Sequence, residues 1–210
     1  MNLPPLSVLL TRLKEPTWVK IYQRIGPPGS DIRVGADDFM KYIVAPCAEE
    51  LGCDKPIRAD GLPEPGRITS QIIDLLNSAD IVIADLSGNN ANVYYELSCR
   101  HAIGKPAIHM AVDGTPLPFD VADNRTIFYT MHASRVERAR EELTGQIKRV
   151  QEPGYKARNP ILDAIGLISL EKSTEPTQRA IASLIRQVAS LQGDRPCCTD
   201  RSLGGEEWTV

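Results

Sequence analysis

Residues 81–112 read IVIADLSGNNANVYYELSCRHAIGKPAIHMAV. The stretch opens on Ile81-Val82-Ile83-Ala84, a short, continuous, β-branched run that suits a central parallel strand covered on both faces. Asp85 closes that strand. Ser87-Gly88-Asn89-Asn90-Ala91-Asn92 is loop, built from residues that favour turns. Residues 93–103 follow as a helix. Gly104 ends it and Pro106 stands just beyond. Residues 107–112 form another buried strand. Strand, helix and strand make a right-handed βαβ unit, the building block of a parallel sheet.

Working outward, residues 18–25 (WVKIYQRI) alternate apolar and polar side chains as a half-buried strand does. Gly26-Pro27-Pro28-Gly29-Ser30-Asp31 is a dense turn signal. Phe39, Ile43, Cys47 and Leu51 recur every fourth residue, which predicts a helix from Ser30 or Asp31 to Leu51 with Gly52 as its C′ residue. Pro46 falls inside it and is expected to bend it. Residues 56–59 are a short, weak strand, and residues 60–66 a loop. Ile68, Ile72, Leu75 and Leu76 mark the next helix. Downstream, residues 125–129 (RTIFY) read as the fifth strand. Ser134 and Glu137 have capping-box spacing before a helix whose stripe is Val136, Leu143, Ile147 and Val150. The expected fold is therefore α/β, flavodoxin-like and three-layered. Its sheet is five-stranded and mostly parallel, with order 2-1-3-4-5.

After residue 150 the pattern changes. Residues 152–160 read as a linker and residues 161–170 as an apolar segment of ambiguous type. Residues 177–191 read as an amphipathic helix with Ile181, Leu184, Ile185 and Val188 on one face. Core packing is the expected use of that face, a partner surface the alternative. The expected organisation is an α/β domain over residues 1–150, a helical extension over 151–193 and a flexible tail over 194–210.

Composition narrows the function. The chain has 210 residues, 42% hydrophobic, 24% charged and only 5% aromatic, with net charge −3. Those are globular values, long enough for a proper core. They carry no electrostatic footprint for nucleic acid or an anionic membrane, and few rings on which bases could stack. No run approaches the about 18 apolar residues of a membrane span, and MNLPPLSVLL lacks the features of a signal peptide. A cytoplasmic location is expected. Five cysteines, an odd number, and three histidines show no metal-ligand spacing, so no metal site is expected.

In a sheet of order 2-1-3-4-5 a ligand sits at the carboxyl ends of strands 1 and 3, where the winding reverses. The loops there are residues 26–33 and 85–92, both rich in Gly, Ser, Asn and Asp. Such residues let backbone approach a ligand, although plain turns need them too. Glu96 follows in the first turn of the predicted helix, one turn beyond Asn92 and on the same side. The helix N-terminus is expected to stabilise its ionised form. A carboxylate aimed at a cleft can act as nucleophile or stabilise a sugar cation. It is a poor general acid unless burial raises its pKa.

Residues 68–110 resemble the bacterial nucleoside 2-deoxyribosyltransferase-like proteins, which are related in fold to TIR domains. The resemblance rests on Asp85, the loop Ser87-Gly88-Asn89-Asn90-Ala91-Asn92-Val93, Tyr95-Glu96-Leu97-Ser98 and Gly104-Lys105-Pro106. Upstream, Arg24-Ile25-Gly26, Gly29-Ser30, Arg33 and Gly66-Arg67-Ile68-Thr69 match further family elements. Coverage is roughly residues 17–150. Ser98, Ala91 and Arg24 depart from the usual glycine, proline and proline. The resemblance implies that Glu96 is the catalytic residue for cleaving or exchanging an N-glycosidic bond. It implies substrate-binding roles for Gly26, Ser30, Arg33, Asp85, Ser87, Asn89, Asn92 and Tyr95. Arg67 and Tyr94 are further candidates, and His101 reads as structural.

The leading implication is an N-glycoside hydrolase acting on NAD or a related nucleotide as substrate, with no separate cofactor. It would work as a bacterial defence or toxin effector, as a homo-oligomer, switched on by a cyclic-nucleotide or protein activator. The alternatives are a nucleoside or nucleotide deoxyribosyltransferase or hydrolase, and a non-catalytic nucleotide sensor or assembly adaptor.

Overall fold

A computed structural model of the chain describes residues 17–58 and 68–193. It contains a five-stranded, all-parallel sheet of order β2-β1-β3-β4-β5. The strands are β1 (Val19–Tyr22), β2 (Ile57–Arg58), β3 (Ile81–Asp85), β4 (Ala107–Val112) and β5 (Thr126–Tyr129). The helices are α1 (Asp31–Phe39), α2 (Ala45–Glu50), α3 (Ile68–Ser78), α4 (Ala91–Ile103), α5 (Phe119–Ala122), α6 (Ala133–Val150), α7 (Pro160–Glu171) and α8 (Pro176–Gly193). The flavodoxin-like order read from the βαβ alternation is the one observed, and Val19 pairs directly with Ile81.

Every residue of β3 is buried, as expected of a strand covered on both faces. Ile81 and Ile83 join Val19, Ile21, Ile108, Met110 and Ile127 in a core closed by Phe39, Ile43 and Leu143. Val82 and Ala84 face the other way, with Tyr22, Ala111, Leu76 and Leu97. The period-two direction of strand side chains divides one apolar run between two layers.

Pro46 is accommodated differently from the expected bend. Residues Met40–Val44, between α1 and α2, are π-helical, and the Ala45 N–H bonds to the Met40 carbonyl five residues back. Proline has no N–H to donate to the carbonyl four residues earlier, and its ring crowds that carbonyl. The wider π turn relieves both problems. Leu51 caps α2. Gly52 then takes φ +63°, with Gly52 N–H bonding to Glu49 and Cys53 N–H to Ala48. That is a Schellman closure on the predicted C′ glycine.

Two helix starts differ from the sequence reading. The helix placed at 93–103 begins at Ala91, because the Asn90 side chain accepts the Asn92 and Val93 N–H groups and caps it. The capping box at Ser134 is absent: His132 is the N-cap residue of α6 and makes no side-chain cap bond. Ser134 therefore lies inside the helix. The ambiguous segment 161–170 is helical, and Asn159 Oδ1 accepts the Leu162 N–H at its start.

Two compact units divide the chain, residues 1–163 and 164–210. In the second unit Ala182 is buried, while Ile181, Leu184, Ile185 and Val188 are exposed, contrary to the core packing expected of that stripe. The 60–66 loop, Arg67, Cys197, Cys198 and the 194–210 tail lie outside the described residues. No helix among the described residues is long and apolar enough to cross a membrane.

Candidate functional site

The carboxyl ends of β1 and β3 lie side by side, with Tyr22 paired to Ala84. The β3 loop leaves the sheet through Asp85. Its Oδ1 accepts the Ser87 N–H at 3.1 Å and the Ser87 hydroxyl at 2.6 Å, and its Oδ2 accepts the Tyr129 hydroxyl at 2.9 Å. The Ser87 hydroxyl oxygen also accepts the Val112 N–H at 2.8 Å. One network thus ties the ends of β3, β4 and β5 together and orients the loop amides. Burial pushes the Asp85 pKa up, opposed by the Ser87 and Tyr129 hydrogen bonds.

Gly88 and Asn89 follow with φ of 69° and 51°, the left-handed region in which only glycine and asparagine are at ease. Asn89 Oδ1 accepts the Tyr94 hydroxyl at 3.0 Å. The cap is Asn90, a residue the sequence reading gave no role. Asn92 is exposed in the first turn of α4, and Tyr95 is exposed.

Glu96 is the group the fold treats most unusually. It is partly buried, and its carboxyl has no hydrogen-bond or ion-pair partner among the described residues. Burial raises its pKa to about 7. This reverses the expected stabilisation of the ionised form. The helix starts at Ala91, so Glu96 sits in the second turn, whereas the dipole acts over the first. Desolvation therefore wins.

Tyr22, missed by the sequence reading, ends β1. It is 1% exposed, and its hydroxyl has no hydrogen-bond partner among the described residues. Burial, then the charge of Glu96, holds its phenol above the ordinary range, against the opposite pull of Arg100. The phenol and the Glu96 carboxyl thus sense each other across the β1–β3 switch point. A tyrosine in an alternating strand reads as core, and nothing in the sequence marks its hydroxyl as unpaired.

At the carboxyl ends of the strands, a cavity of about 330 Å³ is lined by Arg24, Ile32, Asp85, Ser87, Tyr129 and Thr130, among others. The Thr130 hydroxyl, of a residue in its wall, has no hydrogen-bond partner among the described residues. Asp85 and Ser87 thus come together with Arg24. Glu96 is not in this wall.

The β1-loop candidates serve the chain. The Ser30 hydroxyl donates to the Pro27 carbonyl and accepts the Arg33 N–H, capping α1. A Cβ on Gly26 would meet Ser30 Oγ at 2.3 Å and Ile32 Cβ at 2.9 Å, so only glycine fits there. The Arg33 guanidinium pairs with Asp37 at 3.4 Å. His101 is buried with its Nε2 3.3 Å from His109 Nε2, away from Glu96. No group of three or more His, Cys, Asp or Glu among the described residues is placed to hold a metal ion.

No protein-family model matches the chain, and no curated protein matches it. Among solved structures, the chain is similar in fold to a 2-desoxiribosyltransferase from Leishmania mexicana, at 19% identity and a TM-score of 0.43, over 62% of this chain and 98% of that one.

Proposed function

We propose that the protein breaks an N-glycosidic bond, with NAD or a related nucleotide as substrate and Glu96 as the catalytic carboxylate. The observation that carries this reading is the partly buried Glu96 carboxyl, without a partner among the described residues, whose charge reaches the Tyr22 hydroxyl at the end of β1. A structural carboxylate is normally paired, and one left half-desolvated is typical of a site that waits for charge. As the C1′–N bond breaks, its electron pair leaves with the base and positive charge grows on the ribosyl ring. Ionised Glu96 stabilises that charge or bonds to C1′. Water then adds at C1′, displacing the Glu96 carboxylate where it has bonded there, and the water proton is lost to solvent or to the departing base. Arg24, in the neighbouring cavity, supplies a cation for a phosphate. In this reading Gly26, Ser30, Arg33, Asp85, Ser87, Asn89, Asn92 and Tyr95 bind substrate or shape the loops that do.

The family resemblance in the sequence supports the rest of the proposal: a bacterial defence or toxin effector, homo-oligomeric, controlled by a cyclic-nucleotide or protein activator. The domain division at residues 150 and 193 belongs to the same reading. The test is incubation of the purified protein with NAD, nucleosides and nucleotides, followed by chromatography for released base. Free base with ribosyl hydrolysis product is expected, and Glu96→Gln should lower the rate by about 10²-fold or more. Because the carboxylate form acts, the rate should rise with pH through about 7 and level off above. Base exchange without hydrolysis would make the protein a transferase. A Glu96→Gln variant as fast as wild type would remove Glu96 from the mechanism.

A further inference from the structure

A second cavity, of about 480 Å³, opens at the amino ends of β4 and β5, the opposite end of the strands from Asp85 and Tyr22. Three polar atoms in its lining residues are buried without a hydrogen-bond partner among the described residues: His109 Nδ1, Asn124 Nδ2 and Gln146 Nε2. His109 is only 3% exposed. Buried polar groups are nearly always paired, so three orphans around one cavity point to a partner that enters it.

The charges say what kind. Lys105, Arg125, Arg149 and Arg158 line the cavity, against the single carboxylate Glu142. Glu142 is engaged by Arg138 outside the lining, and Arg149 by Glu152. Lys105 donates to the Asn77 carbonyl. Arg125 and Arg158 have no ion-pair partner among the described residues. The orphan amide nitrogens are donors, as are all the cations. The donors come from β4, the approach to β5, α6 and the segment after it. A carboxylate offers two oxygens in one plane, whereas a phosphate offers at least three, spread tetrahedrally.

We propose that this cavity binds a small phosphate-bearing molecule of at least two negative charges, at a site separate from Glu96. The His101–His109 pair takes part. Two facing Nε2 atoms 3.3 Å apart require one ring to donate and the other to accept. When His101 donates, the His109 proton sits on Nδ1, where it can donate to the anion. Burial, together with His101, lowers the His109 pKa to about 4, so that ring is neutral near pH 7 and the choice is one of tautomer.

The probe is inorganic pyrophosphate, titrated calorimetrically at low salt into the full chain, its Glu96→Gln variant and an Arg125→Glu/Arg158→Glu variant. Both arginines are exposed, so the double variant should fold; circular dichroism checks this, and Arg125→Gln/Arg158→Gln replaces it if it does not. Binding should be unchanged in Glu96→Gln and at least about tenfold weaker when the arginines are replaced. Imidazole nitrogen NMR should show pyrophosphate fixing His109 as the Nδ1–H tautomer. Displacement by adenosine 5′-monophosphate but not by adenosine would assign the phosphate to a nucleotide. Failure of the monophosphate to displace would assign it to free pyrophosphate. No binding at millimolar pyrophosphate, equal binding by the arginine variant, loss in Glu96→Gln, or unmoved imidazole signals would each overturn the proposal. None of these readouts depends on base release, so the two proposals fail separately.

Discussion

The chemistry assigned to Glu96 has a cost in stability that can be measured. Its pKa rises from 4.5 to about 7 on folding, so the folded chain binds that proton more tightly than the unfolded one. Stability contributed by this group is therefore lost as pH rises from about 4.5 through about 7. Partial exposure screens the charge, which leaves about 1–2 kcal/mol of destabilisation at about pH 8. Glu96→Gln should be more stable than wild type by about that amount at pH 8 and equal to it at about pH 4. Urea unfolding at the two pH values checks both signs. Tyr22→Phe should behave in a related way. It removes a buried hydroxyl that makes no hydrogen bond among the described residues, so stability should hold or rise by about 1 kcal/mol. Base release should nevertheless fall by about tenfold if that hydroxyl meets the substrate or Glu96 in the transition state. A variant with full activity would return Tyr22 to the core. Glu96 could be singled out from its place after the β3 loop. Its pKa could not, because helix position alone argued for an ionised carboxylate and burial reversed the sign.

At the scale of elements, Arg100 does what a sequence cannot announce. It lies in the last turn of α4, where a basic residue suits the helix dipole, yet it is fully buried. Its guanidinium donates to the carbonyls of Leu76, Ala79 and Asp80 at and beyond the end of α3, and to Pro106 before β4. Burial lowers its pKa to about 10, so it remains a cation near neutral pH. Arg100→Met should cost about 3 kcal/mol or more, because it strands the Leu76, Ala79 and Asp80 carbonyls at one helix end, while the Pro106 carbonyl keeps the Val82 N–H. A shift in the urea midpoint of less than about 1 kcal/mol equivalent would show that water replaces the guanidinium. The strands and helices themselves were legible because a period of two or of about four leaves a mark in the chain. The helix starts were less so. Asn89, Asn90 and Asn92 are chemically alike, and only the backbone path selects Asn90 as the cap.

For the whole molecule, the exposed stripe of Ile181, Leu184, Ile185 and Val188 supports the proposed homo-oligomer. Contiguous apolar faces on helices are usually covered in the working state. Light scattering of the full chain should report at least a dimer, and Leu184→Glu should shift it toward monomer. Monomer alone at high concentration, with and without nucleotide, would count against it.

The sequence by itself determined the sheet order and the position of the switch point. Those follow from βαβ alternation and from short-range patterns of β-branched, turn and helix-forming residues. Only the tertiary structure decided how each polar group is partnered. It occupied Ser30 as a cap and Asp85 and Ser87 as a network joining three strands. Among the described residues it left the Tyr22 hydroxyl and the Glu96 carboxyl without partners at one end of the sheet, and His109 Nδ1, Asn124 Nδ2 and Gln146 Nε2 without partners near the other. Periodicity records which side of an element faces inward. Pairing depends on what arrives from residues tens of positions away, such as Tyr129 onto Asp85, and no local pattern carries that.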